Sequence, residues 1–208
     1  MKSEFYTLRH LPNVLIVAIL AVMMAGIGAV LQWALPLLLK IDPPQVGDSP
    51  TGQQVQALID GSDPTTSSFQ LAALDITGSG QSTGISIFLI AIVALTITAA
   101  SYPFSSGAVV WKVVGAGSRM KWVRSLIVAV LNTVLLVCVA ACVLNSLIAL
   151  VAAPMNDVSL VTSASDVAVV WLRGSLAVLL LSLAIIGVVL TIRRIGPAIG
   201  VIVAVSVS

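Results

Sequence analysis

Four apolar runs, at about residues 14–39, 85–100, 125–151 and 167–192, constrain this chain more than any other feature. At 1.5 Å per helical residue they extend roughly 24 to 40 Å, the scale of a hydrocarbon core about 30 Å thick. Lipid offers no hydrogen-bond partner to a backbone, so such runs satisfy their own N–H and C=O groups as helices. Only 9% of the 208 residues are charged and 59% are hydrophobic. Ordinary soluble domains carry about 25% charge, so this chain cannot cover a water-exposed globule. The expected fold class is all-α, a polytopic helical membrane protein with four full spans. A net charge of +2 and two cysteines argue against a nucleic-acid binder and a disulfide scaffold, and the composition argues against a soluble catalytic domain.

The few charges set an expected topology. Lys2 and Arg9 precede the first run, Lys112, Arg119, Lys121 and Arg124 lie between the second and third, and Arg193-Arg194 follow the fourth. Between Lys40 and residue 83 there are five Asp and no further Lys or Arg. Short basic segments stay in the cytoplasm, so the N-terminus and the 107–124 segment are expected there, with the 40–83 and 153–166 loops outside. Residues 1–12 read either as an interfacial elbow helix or as a plain tail, and residues 13–208 form the transmembrane domain. The apolar segment 195–208 reaches only about 21 Å as a helix. It is either re-entrant or part of a fifth span inside which the sequence stops. The first run is too long for the 7 to 15 residues of a signal-peptide core, so it reads as an uncleaved span.

Individual residues admit competing readings. Arg173 lies about two turns inside the fourth span, where a charge marks either a substrate path or a structural pair. It can snorkel outward or meet Asp166 two turns earlier. Gly26, Gly196 and Gly200 supply small-residue faces for close helix packing. Residues 53–59 form a short amphipathic stretch ahead of Asp60-Gly61, a candidate cap helix in the outer loop. The loop acids are too scattered for a calcium loop, Cys138 and Cys142 match no redox or zinc spacing, and His10 lacks ligating neighbours. No catalytic residue and no metal site are assigned. The motifs G-x-x-x-x-G-K-S/T, H-E-x-x-H and G-x-S-x-G are absent, so no ATPase or recognisable hydrolytic machinery resides here. No carboxylate falls in mid-span, which argues against an ion-coupled carrier.

Three pieces of the sequence resemble the permease subunits of type-2 ABC transporters. The opening Met1-Lys2-Ser3-Glu4-Phe5-Tyr6-Thr7-Leu8-Arg9 resembles their Glu-aromatic-x-x-Leu-Arg start. Tyr102, Gly107, Ser118 and Arg119 resemble the glycine-containing turn and basic segment after span two. Trp171-Leu172-Arg173-Gly174, Arg193-Arg194, Gly196 and Ala198 resemble the Leu-rich span, paired-basic turn and small-residue span that follow. Ser101, Pro103 and Phe104 stand where the family often has an acid and an arginine around the tyrosine.

The resemblance implies a bacterial cytoplasmic-membrane permease, cytoplasmic at its N-terminus through an elbow helix and working as an exporter. Its partners would be a second, identical or related permease subunit and cytoplasmic ATPase subunits, which carry the ATP and Mg. The chain itself would hold no cofactor. The coupling surface falls on Gly107, Trp111, Lys112 and Arg119. A plainer reading puts Trp111 and Trp122 in an interfacial aromatic belt. A different function class, a structural or assembly subunit of a larger membrane complex, would use the same small-residue faces.

Overall fold

The computed structural model describes residues 8, 11–41, 59, 61–78 and 86–192. Among these the chain is all-helical, without strands, and four of its helices are long and apolar enough to cross a membrane. In order they are α1 (Pro12–Ile41), α2 (Ser67–Leu74), α3 (Ile87–Ser105), α4 (Val109–Ala116), α5 (Arg119–Met155) and α6 (Ala164–Ile192). The four spanning helices are α1, α3, α5 and α6. Most of the expected elbow, residues 53–58 of the amphipathic stretch, and the 195–208 segment with Gly196 and Gly200 lie outside the described residues.

Each span is longer than its apolar run, because local chemistry sets helix ends and hydropathy does not. Pro12 occupies the first helical position of α1, where a missing N–H costs nothing. The second span continues five residues past its expected end at 100, with Pro103 inside its last turn. The third begins six residues before its expected start at 125. Ser118 caps it, its Oγ accepting from the Lys121 amide at 3.2 Å. It ends in a Schellman motif: Asp157 takes a left-handed φ of 57°, and the Val158 and Asp157 amides donate to the carbonyls of Ala153 and Pro154. At the start of α6 Ser163 Oγ accepts from the Asp166 amide and donates to its carboxylate at 2.7 Å, a reciprocal cap.

The described chain packs as two compact units, and every spanning helix contributes to both. One comprises Met1–Ala21, Leu89–Cys138 and Leu176–Ser208. Its interior is lined by Ile92, Leu95 and Ala99 of α3, by Leu126, Val130 and Val134 of α5, and by Ile185, Ile186 and Val189 of α6. Thr96 and Ser182 would be costly in an apolar interior, and they satisfy each other. Thr96 Oγ1 lies 3.2 Å from Ser182 Oγ and 2.8 Å from the Ile92 carbonyl. Trp122 is buried edge-on against Phe104, with ring centroids 5.9 Å apart, and ties the start of α5 to the end of α3.

The other unit comprises Val22–Phe88 and Val139–Ser175. Here α1 meets α5 at short range: a Cβ on Gly26 would stand 2.8 Å from Leu144 Cδ2, so this position takes glycine for proximity. The core continues through Trp33, Phe69, Ala73, Leu74, Ala149 and Ala153. Outward from these stripes Leu15, Ile19, Met23, Leu136, Val143 and Leu180 are exposed. A helix apolar all round but buried on one face has hydrocarbon as its solvent, so these side chains contact lipid.

Candidate functional site

The residues after α3 build an exposed platform. The hydroxyls of Ser105 and Ser106 donate to the Tyr102 carbonyl at 3.0 and 2.9 Å, closing the last turn of α3. Gly107 then adopts φ +67°, with no atom within 4 Å of a built Cβ. Its requirement is conformational, since an L side chain rarely accepts this backbone. After eight residues of α4, Gly117 repeats the device at φ +70°, its amide donating to the Val114 carbonyl. Two left-handed glycines therefore set α4 off from both neighbouring spans.

No residue of α4 is buried. Trp111 is 80% exposed, with Val110 and Val114 exposed beside it. Lys112 turns back, its Nζ 6.0 Å from the centroid of the Tyr102 ring, near the outer limit for a cation–π contact. Arg119 is exposed as the first residue of α5, and the first turn of that helix carries no acid. The positive end of the helix dipole thus adds to Arg119 and Lys121. The platform pairs an apolar patch with basic side chains.

The two tryptophans of this segment have different environments. Trp122 is buried against Phe104, whereas Trp111 faces outward. An interfacial belt accounts for Trp111 alone. The pattern was present in the sequence: Trp122 belongs to the i+4 series Trp122, Leu126, Val130, Val134, all buried.

The unit of Val22–Phe88 and Val139–Ser175 holds the second cluster, built around α2. Asp63 starts it by accepting from the amide and hydroxyl of Thr65 at 2.9 and 2.7 Å, bonds that hold its carboxyl below the usual value of 3.8. Thr66 caps α2, accepting from the Phe69 amide. Phe69 stands edge-on to Trp33 at 5.4 Å, and buried Gln70 spends its amide on three backbone groups. Its Nε2 donates to the carbonyls of Pro64 and Ser159, and its Oε1 accepts from the Val161 amide, each at about 3 Å. The 61–78 segment is thereby bound to the 159–161 loop. Neither Gln70 nor α2 was foreseen from the sequence, which pointed to residues 53–59. The local signal was Asp63-Pro64-Thr65-Thr66, a turn-and-cap pattern before Phe69.

Arg173 finds its partner here, and that partner is Asp75. Their side chains approach to 3.4 Å, Asp75 with 4% of its side chain exposed and Arg173 with 69%. Asp166, the expected partner, is bonded to Ser163 as the α6 cap. The Asp75 turn reaches α6 because Gly174 has no side chain: a Cβ there would stand 3.2 Å from Ile76 and 3.3 Å from Asp75 Oδ1. Asp75 Oδ1 also accepts from the amide and hydroxyl of Thr77, which fixes the turn.

Among the described residues no three His, Cys, Asp or Glu side chains gather as a metal centre would need. Cys138 and Cys142 are buried, reduced thiols in α5. Comparisons with protein-family models, with curated proteins and with solved structures returned no match.

Proposed function

We propose that this chain is a permease subunit of an ATP-driven ABC transporter, an exporter in a bacterial cytoplasmic membrane, and that α4 docks onto a cytoplasmic ATPase subunit. The observation that carries the reading is α4 itself, an eight-residue helix between two spans with Val110, Trp111 and Val114 exposed. Interfaces concentrate their energy in buried aromatic anchors ringed by polar groups, and Trp111 with Lys112 and Arg119 has that composition.

The connection behind α4 suits a coupling role. Short turns at 106–108 and 117–118 join it to α3 and α5, and the Phe104–Trp122 contact ties those spans together behind it. A displacement imposed on α4 is then passed to two spans at once. ATP and Mg belong to the partner, because this sequence has no phosphate-binding loop. A second permease subunit, identical or related, completes the substrate path, with the N-terminus in the cytoplasm.

Incorporation of a photo-crosslinking amino acid at Val110 in intact cells tests the reading. The expected product is an adduct with a polypeptide bearing a G-x-x-x-x-G-K-S/T motif. Adducts with lipid alone would make α4 an interfacial helix, and adducts with a different membrane subunit would favour an assembly role.

A further inference from the structure

Within the unit of Met1–Ala21, Leu89–Cys138 and Leu176–Ser208, the outward face of α5 carries one side chain that lipid does not accommodate. Asn132 is exposed, and it lies inside the apolar run, about 12 Å along the helix from Arg124. Lysine and arginine at such a depth reach headgroups through long stems, which asparagine lacks. The hydroxyls near it return to their own helix: Ser125 Oγ donates to the Trp122 carbonyl and Thr133 Oγ1 to the Ala129 carbonyl, each at 2.9 Å. Asn132 makes no hydrogen bond among the described residues. Its carboxamide therefore presents two N–H donors and a carbonyl acceptor to hydrocarbon, where each unmade bond is costly. The flanking positions on this face are Val128, 44% exposed, and Leu135, 37% exposed, with half-buried Ser125 a turn before Val128. Their spacing of three, four and three residues is that of a helix-pairing seam, with Ser125 and Asn132 at one core position and Val128 and Leu135 at the other.

We infer that α5 pairs with α5 of a second copy of this chain, the two Asn132 carboxamides hydrogen-bonding to each other across a twofold axis. A carboxamide is self-complementary: each copy donates an N–H to the carbonyl of the other, so the pair needs no third group. Both copies insert in the same orientation, which makes the two α5 helices parallel and brings Asn132 of each to the same depth. The contact is then isologous, with Asn132 opposite Asn132 and with Val128 and Leu135 meeting their counterparts one turn to either side. A single asparagine in an otherwise apolar seam fixes register in this way. The inference stands apart from the transporter reading: an α5-paired chain that recovers no ATPase would keep it and remove that reading.

Subunit exchange in phosphatidylcholine vesicles tests it. The full chain carrying Cys138→Ala, Cys142→Ala and Ser67→Cys is labelled with a donor or an acceptor dye, and energy transfer is followed as lipid dilutes the protein. Transfer should fall as a monomer–dimer equilibrium. Asn132→Leu should reach half-dissociation at a protein-to-lipid ratio at least about fivefold higher, the scale of interhelical side-chain hydrogen bonds in lipid. Asn132→Gln keeps the carboxamide and should recover most of that difference. In the same background without Ser67→Cys, oxidation should join chains through Val128→Cys and not through Leu180→Cys, which is exposed on α6. Should the cysteine-free background fail to fold, sedimentation equilibrium of wild type and Asn132→Leu in density-matched detergent measures the same shift. Equal half-dissociation with and without Asn132→Leu overturns the inference, as does a monomer at every dilution. So does crosslinking through Leu180→Cys as efficient as through Val128→Cys. Reaction of Asn132→Cys with a water-soluble maleimide in the vesicles overturns it too, and would give this face to an aqueous path.

Discussion

At the scale of single residues, function and structure divide between side chains of the same type. Trp111 and Trp122 lie eleven residues apart, one outward and one in the core. Arg173 follows the same logic, since its role depends on which carboxylate it meets. Arg173→Ala would remove the cation 3.4 Å from buried Asp75, whereas Asp166→Ala removes one end of an exposed helix cap. We expect Arg173→Ala to speed hydrogen exchange at Asp75 and Ile76 at least several-fold, and Asp166→Ala to leave those amides unchanged. The effect of Arg173→Ala is discounted from that of a fully buried pair because the Arg173 side chain is 69% exposed. Gln70→Leu should cost more, roughly 2 kcal/mol, because three backbone groups lose their partner at once. Exchange across Phe69–Leu74 should then accelerate by more than tenfold, with the spanning helices unaffected.

At the scale of elements, the sequence was legible where physics is one-dimensional. Four apolar runs became four spans because hydrocarbon thickness and backbone satisfaction leave no alternative. Helix ends were less legible. The Ser118 cap starts α5 ahead of its hydrophobic run and α3 continues past its own through a tolerated Pro103, and hydropathy registers neither. The cap helix α2 was missed because its amphipathicity is weak and its partner, Trp33, lies 36 residues upstream of Phe69. Pairing of Arg173 with Asp75 was hidden for the same reason, being a contact over 98 positions. By contrast, the exposed patch on α4 was readable, since Val110, Trp111 and Val114 follow helical spacing. Thr66→Ala tests the local part of this account: it should destabilise α2 by about 1 kcal/mol through the lost cap, seen as faster exchange confined to Ser67–Leu74.

At the scale of the whole molecule, the proposed role requires a definite sidedness and a partner. The proposed role puts Lys112, Arg119, Lys121 and Arg124 in the cytoplasm, as the positive-inside rule expects, and the 61–78 segment outside. Ser67 is exposed at the start of α2, so Ser67→Cys should react with an impermeant maleimide in intact cells, whereas reaction only after lysis would reverse the topology. The partner is tested most directly by purifying wild type, Trp111→Ala and Lys112→Ala from the membrane and measuring the ATPase that accompanies each. Truncating a buried aromatic anchor commonly costs about 2 kcal/mol or more, and an exposed rim charge about 1 or less. The account predicts that Trp111→Ala loses most of the bound ATPase, with membrane insertion intact, while Lys112→Ala retains the larger part. Equal recovery of ATPase with wild type and Trp111→Ala would contradict it.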